Sequence, residues 1–481
     1  MPALVLAGRI PIPIGGARAR WRRGWLGWAT VAVTVGACRP YRAQPLPPAT
    51  AIGAPASADW MAIQVRASEI RHPLMPALSL NLSDGLSPDE AALLAVAANP
   101  QLQFARARRG VAQAQLIAAG VLPNPQFAGG MDRPTADSTR AVTGTSLGAA
   151  LDLLGFVTRG AAKDAAQRRL QSIDLGLAWQ EWQVAESARL RTYGLMLVET
   201  ALSLAADQER EMETTVATLR SAVRQQLATK VELGAADVAY RATVDAHLAL
   251  GVQRDTALVA LAQLLGIDRT SMPRIERTPV PFDANAASLR SPDIPTLAMM
   301  TGDLGSRRLD LQGLRMGYLS QEAQVRASVL RQFPRVSIGV TRNRDTGNLQ
   351  TLGGVVSILF PLFDRNQGEM AVTRATRSEL RAEYEARVAD ARATIEALLV
   401  EVSAGVQRLQ NRRTSIAMQE ATVDLYRRAF QNGNADVLTY YVAWGDLMNR
   451  RLDAIAAQHE LVALAIALET AAGLHFMVPA R

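Results

Sequence analysis

Past its first 40 residues the sequence has no run of the roughly 18 to 20 consecutive apolar residues that a transmembrane helix needs. If the mature chain crosses a membrane, strands must do it. Cys38 is the only cysteine, and the four histidines His72, His247, His459 and His475 stand at no metal-binding spacing, so the sequence offers no metal-ligand set and implies no cofactor. The start of a zinc-protease motif at His459-Glu460 fails because Ala463 stands where the second histidine belongs. Gly144-Thr145-Ser146-Leu147-Gly148 matches a nucleophile elbow in letters, yet a polar loop precedes it and an alternating segment follows, where that elbow needs a buried strand and a helix. No glycine-rich phosphate loop is present. With no catalytic constellation, the chain does not read as an enzyme. Aromatics make up 5% of the residues, and the abundance of Ala, Leu, Arg and Gln favours helix over an all-β fold.

The net charge of +8 does not indicate a nucleic-acid partner, because much of the excess is local. Arg9, Arg18, Arg20, Arg22, Arg23, Arg39 and Arg42 flank an apolar stretch from Trp25 to Ala37, the order of a secretory signal. Val35-Gly36-Ala37-Cys38 resembles the lipobox of bacterial lipoproteins, which makes Cys38 the expected first mature residue and the site of lipidation with palmitate. Residue 39 is Arg, so the Asp of the inner-membrane retention signal is lacking and the outer membrane is the expected address. Residues 40 to 80 are proline-rich and read as an extended tether or wrap, not a folded unit.

What the sequence does hold is a duplication. Residues 99 to 132 return at 308 to 341, 209 positions on: Leu102 maps to Leu311, Gln103 to Gln312, Ala114 to Ala323 and Pro125 to Pro334. Ser87-Pro88-Asp89-Glu90 reads as a capped helix start, with the helix ending near Ala98. Asn99-Pro100 restarts a helix to about Ala119. No proline interrupts 161 to 227, or 362 to 478, and apolar residues recur there every three or four positions, as at Leu170, Ile173 and Leu177. These stretches predict long antiparallel hairpins: Ala161 to Leu227 returning over Ala236 to Leu265 after a turn near Lys230 to Gly234, and Gln367 to Phe430 returning over Asp436 to Ala472. Ala257-Leu258-Val259-Ala260-Leu261-Ala262 resembles Glu460-Leu461-Val462-Ala463-Leu464-Ala465, so the return helices join the repeat.

Between these helices, Phe127, Gly129 and Met131 share one strand face, as do Leu147, Ala149, Leu151 and Leu153. Their counterparts are Val336, Ile338 and Val340, then Val356, Ile358, Phe360 and Leu362. Segments of nine or ten residues that are apolar on one face and small or polar on the other fit transmembrane β-strands, and also the half-buried hairpins of a soluble protein. Four strands cannot close a membrane barrel, which begins at about eight. Several copies must share one, and three copies would give about twelve strands.

Three passages carry a likeness to a known family: Glu90-Ala91-Ala92 through Asn99-Pro100-Gln101-Leu102, Leu122-Pro123-Asn124-Pro125, and Pro361-Leu362-Phe363-Asp364-Arg365-Asn366-Gln367-Gly368. With the lipobox and the duplication they resemble the outer-membrane efflux factors, the TolC-like channels, and most of all the CzcC-type heavy-metal efflux branch. The resemblance implies a mainly α fold with a small β part, in which a duplicated strand-helix hairpin unit forms a trimeric 12-stranded transmembrane β-barrel continued by a long periplasmic α-helical barrel. The parts are then a signal peptide at 1–37, a lipidated Pro-rich tether at 38–83, repeats at 84–283 and 284–474, and a tail at 475–481. It also implies a homotrimer in outer-membrane lipid that passively conducts substrates, heavy-metal cations among them, from an inner-membrane RND-type pump through a periplasmic adaptor. The hairpin tips would be the gate. Family members often carry an acidic residue six positions after the tip glycine; here Gly433 is followed at that place by Thr439, with Asp436 three residues on. Asp436, Thr439 and Asp237 are the candidate gating residues, and Asp436 reads equally as a helix N-cap. The competing reading is a lipid-anchored periplasmic adaptor or coiled-coil scaffold of an export complex, which would share the helices but should carry a compact domain of many short strands.

Overall fold

The computed structural model describes residues 41–48, 60–76, 80–135, 141–276, 279–283, 294–432 and 437–477. The expected signal segment, Cys38 and Asp436 lie outside them. The chain divides into two units, Met1–Ala54 and Pro55–Arg481. In the first, residues 41–48 are exposed and carry no regular secondary structure. Every element below belongs to the second.

The tether reading fails over ten residues, because Trp60–Glu69 is a helix, α1. This stretch contains no proline, and Ile63 and Ala67, four apart on one helix face, bury into the cluster formed with Leu94 and Leu265. Helix α2, Pro88–Ala98, starts as expected: Ser87 Oγ accepts from Glu90 N at 3.3 Å, and the Glu90 carboxylate accepts from Ser87 N at 3.1 Å. Asn99 then caps α3, Pro100–Gly120, by accepting from Gln101 N and Leu102 N.

Strands β1 (Gln126–Asp132) and β2 (Gly144–Asp152) form a hairpin, which leads into α4, a 71-residue helix over Leu154–Arg224. At 1.5 Å per residue α4 is about 105 Å long. The return helix α5 spans Lys230–Leu265. Its turn is placed earlier than the sequence suggested, because Thr229 and Glu232 make a second capping box, with Thr229 N on the Glu232 carboxylate at 2.6 Å. Gly234 lies inside the helix with open space around it. Two short helices, α6 (Leu297–Thr301) and α7 (Leu304–Arg307), lead to α8 (Leu309–Leu330), strands β3 (Arg335–Arg344) and β4 (Gln350–Leu359), and the second hairpin, α9 (Gln367–Gln431) and α10 (Val437–Ala472).

The duplication holds in register. Helices α3 and α8 start 209 positions apart, and the β1–β2 pair Gln126↔Ala150 becomes the β3–β4 pair Arg335↔Leu359 at the same offset. The return helices are 36 residues each and lie 207 apart at both ends, so the letter match of Ala257–Ala262 with Glu460–Ala465 is about one turn out of structural register. Phe360 and Leu362, expected on the fourth strand, follow its last residue, because β3 begins opposite Leu359 and offers them no partner.

A heptad stripe packs the second hairpin. On α9, Ile395, Val402, Leu409 and Val423 are buried, with Ile416 packed between the last two. On α10, Tyr440, Leu447, Ala454, Leu461 and Leu468 alternate with Trp444, Gln458, Ala465 and Ala472. Spacing of this kind makes knobs-into-holes coiled-coil packing. Helix α5 and residues Thr439–Ala472 of α10 are apolar enough by length and composition to cross a membrane, with mean hydropathies of 1.2 and 1.3. Each runs instead beside a longer helix of its own hairpin, and charged Arg241, Asp245 and Arg254 punctuate α5.

Each return helix ends against the start of the helix that opened its repeat. Helix α5 stops at Gly266, φ +68°, whose added Cβ would meet the Ala98 carbonyl at 2.7 Å, and Asn99 Nδ2 donates to Leu264 O at 2.8 Å. Helix α10 stops at Gly473, φ +62°, against Arg307 and Arg308, and Arg308 Nη1 donates to Ala471 O at 3.0 Å. The joint is conserved in place and changed in chemistry: Arg308 also holds Asp310 at 2.7 Å and lies 4.9 Å from the Trp179 ring centroid.

Candidate functional site

The four strands make one antiparallel sheet in the order β1-β2-β3-β4, with β2 and β3 joining the repeats from Thr145↔Arg344 to Asp152↔Ser337. Alternation sorts their side chains. One face carries Phe127, Met131, Leu147, Leu151, Ile338, Val340, Leu352, Val356 and Ile358, while the other carries Ser146, Asp152, Ser337, Thr341, Asn343, Thr351 and Ser357, with Val355 and Leu359 as its large apolar exceptions. The apolar face has no cover: Phe127 is 80% exposed, Met131 77% and Leu352 75%. A sheet whose apolar side is bare and whose polar side is lined by Ser, Thr and Asn is inverted with respect to a soluble core, and it suits a wall between lipid and water.

At the far ends of the hairpins the predicted gate residues are separated. Asp237 sits on α5 and pairs with Arg220 of α4 at 3.4 Å, within the first hairpin. Thr439 is exposed in the first turn of α10, in the second hairpin, and no interaction joins the two among the described residues. What does join the hairpins near the tips is Tyr441 of α10, whose hydroxyl lies 2.7 Å from Thr215 Oγ1 on α4. Tyr440 packs edge-on against Tyr441 at 5.0 Å and contacts the Arg427 guanidinium. The signal was available as a Tyr-Tyr doublet in a chain with eight tyrosines, but a doublet names no partner.

Residues 283–474, which include the whole second repeat from α6 to α10, match the sequence profile of the family described as outer membrane efflux protein. Over that stretch the chain is similar to this family. Members of that family are transport proteins, and it is to these that the second repeat of this chain is similar. No curated protein matches it by sequence. Its fold is that of solved outer-membrane channels. CusC is 17% identical with a TM-score of 0.67, covering 85% of this chain and 99% of that one. VceC of Vibrio cholerae is 19% identical with a TM-score of 0.64, over 81% and 96%. The Campylobacter jejuni channel CmeC is 12% identical with a TM-score of 0.66, over 81% and 86%.

Midway along the helices the chain buries an ionic node that its sequence does not reveal. Arg189 of α4, 1% exposed, lies 2.9 Å from Asp89 of α2, 2.9 Å from Glu186 one turn before it and 2.5 Å from Glu469 of α10. It also donates to Met477 O at 2.8 Å, and Glu469 accepts from the Phe476 amide at 2.5 Å, so the node clasps the C-terminal segment. Glu186, Glu469 and His475 converge as a metal set would, but the guanidinium fills the space between them, with Nη1 3.2 Å from His475 Nδ1. Three carboxylates share one cation. Burial, only partly relieved by Arg189, pushes Glu186 up to about 8, and burial also lowers His475. Burial works against the charge of Arg189, yet Glu186, Glu469 and Asp89 hold it above the ordinary arginine value.

Proposed function

We propose that three copies close their sheets into a 12-stranded barrel through the outer membrane and continue as an α-helical barrel into the periplasm, forming the passive exit duct of a tripartite efflux system. The observation that carries this reading is a broken symmetry. Helix α8 lies between α4 and α9 and buries ten residues, whereas its counterpart α3 packs chiefly on α4 and buries only Leu102 and Ala112. Phe104, Val111 and Ile117 of α3 are left at 65, 60 and 68% exposed. Over their most apolar stretch the return helices are equally unequal, 50% covered in α10 and 17% in α5. Each bare face of the first repeat is the place that the second repeat fills within the chain. A neighbouring copy would fill it in turn, and three neighbours close a ring.

In this reading residues 84–283 and 284–474 are the two repeats, 1–37 a signal peptide, 38–83 a tether interrupted by α1 and anchored through lipidated Cys38, and 475–481 a tail. An RND-type pump supplies energy, an adaptor seals the gap, and Asp436, Thr439 and Asp237 face the closing aperture. The passages Leu122–Pro125 and Pro361–Gly368 favour heavy-metal cations as cargo. The test is to fractionate membranes and record in planar bilayers. Heat-modifiable trimers in the outer membrane with discrete ion conductance are expected. A non-conducting protein that anchors to membranes without trimerising would instead establish an adaptor or scaffold. Metal sensitivity of a deletion strain reads the cargo.

A further inference from the structure

The apolar face of the sheet is not apolar along its whole height. The period-two pattern that places Val336, Ile338 and Val340 on one side of β3 continues without a break to Arg342 and Arg344. On β1 the face that carries Phe127, Gly129 and Met131 ends with the strand at Asp132, and Arg133 is exposed one residue beyond it. Cross-strand partners agree: Arg342 is opposite Leu147 of β2 and Leu352 of β4, both on the apolar face, and Arg344 is opposite Thr145 and Gln350. All three arginines stand at the end of the strands remote from the helices, since β1 and β3 both run away from α3 and α8. Towards the helices the same face is apolar, with Val336 opposite Ile358 and with Phe360 and Leu362 exposed just past the end of β4.

Their neighbours do not neutralise them. Arg344 Nε donates to the Asn348 amide oxygen at 2.8 Å and Arg342 reaches the Gln350 amide oxygen at 3.5 Å, both neutral acceptors. Among the described residues no carboxylate makes an ion pair with Arg133, Arg342 or Arg344, although the chain pairs many of its other arginines. The height is right for a headgroup. From Phe360 to Leu352 is eight residue steps, about 27 Å along a strand and about 20 Å once tilted as barrel strands are, close to the thickness of a barrel's apolar band. Arg342 stands level with the last leucines of that band, Leu147 and Leu352, and Arg344 level with Met131.

We propose that Arg133, Arg342 and Arg344 form a binding site for the phosphate groups of a phosphorylated glycolipid in the outer leaflet, repeated around the barrel by each copy. This rests on the membrane-spanning reading of the sheet given above. Guanidinium is suited to it, because its planar donors bind phosphate in pairs and its stem packs along apolar neighbours such as Leu147 and Leu352. The site orients the barrel by recognising the leaflet whose lipids carry phosphate at that depth.

The test uses the full chain extracted from outer membranes in mild detergent, with bound lipid counted by native mass spectrometry. Rough-type lipopolysaccharide, phosphatidylglycerol and inorganic phosphate serve as added probes. The wild-type trimer is expected to retain lipopolysaccharide against excess phosphatidylglycerol and phosphate. The triple variant R133Q/R342Q/R344Q should bind it on the order of a hundredfold more weakly, and the lysine triple should keep part of the affinity. R342Q alone, expected to lose about fivefold, gives the same reading should the triple fail to assemble. Equal retention by the glutamine variants, or displacement by phosphatidylglycerol or phosphate at equal concentration, overturns the site. Conductance of the wild-type preparation reports separately on the channel reading, so a conducting trimer that holds no glycolipid overturns the arginine site alone.

Discussion

Glu186 turns the node into a measurable property. Its carboxyl sits at about 8 in the folded chain against an ordinary 4.5, so folding holds a proton that the unfolded chain releases. The stability it contributes is complete below pH 4.5 and is lost as pH rises through 8. Melting temperature should therefore fall between pH 6 and pH 9, and Glu186→Gln, which keeps the shape and cannot ionise, should flatten that decline. Parallel pH profiles for the two proteins would show that Glu186 does not carry it. Arg189→Met should be far worse, at roughly 3 to 5 kcal/mol, because it leaves buried Glu469 and half-buried Asp89 without a cation. Nothing in the sequence announced this node: its members lie at 89, 186, 189, 469 and 475, and only the folded hairpins bring them together.

At the scale of elements, helix starts were legible wherever a cap and a proline coincide, as at Ser87-Pro88 and Asn99-Pro100, because capping is local chemistry. Local signals also misled. Gly234 drew the tip turn into α5, where the box of Thr229 and Glu232 decides, and the prolines around it hid α1. The repeat joints were half legible, since Asn99 and Arg308 occupy one place with unlike side chains. Asn99→Ala should cost about 2 kcal/mol, combining a lost N-cap with a lost bond to Leu264 O. Denaturant unfolding checks it, and a loss under half of that would mean that Gly266 and its packing hold the joint alone. The tie between hairpins has a functional readout. Tyr441→Phe removes one hydrogen bond to Thr215, on the order of 1 kcal/mol, and in the proposed channel, with that bond made only when the tips are closed, should raise the open-to-closed ratio about fivefold per subunit in single-channel records. Unchanged gating would place the aperture's control elsewhere on the tips.

For the whole molecule, the internal repeat dictates how copies would meet in the barrel proposed above. Strand β2 pairs with β3 through Ala150↔Gly339, and moving each partner by the 209-residue offset, forward on one side and back on the other, carries this pair to Leu359↔Gly130. The two belong to edge strands β4 and β1, which cannot meet within a chain because β2 and β3 stand between them. Both positions also fall on the polar face, as cross-strand partners must. In the same register Phe360 faces Gly129 and Leu362 faces Phe127 of the neighbour, so β4 should lengthen by several residues on assembly and recover the strand face that one chain leaves unfinished. Directly opposed residues sit about 4.5 to 5.5 Å apart at Cα, within disulfide reach, and those two positions further along do not. Leu359→Cys with Gly130→Cys should therefore give covalent trimers on a non-reducing gel, while Leu359→Cys with Ala128→Cys should not, with each single variant controlling for Cys38. Equal crosslinking of both pairs would mean that copies slide past one another, and a one-residue slip would turn the neighbour's polar face toward lipid. The repeat would then have fixed the shape of the subunit without fixing how the subunits join.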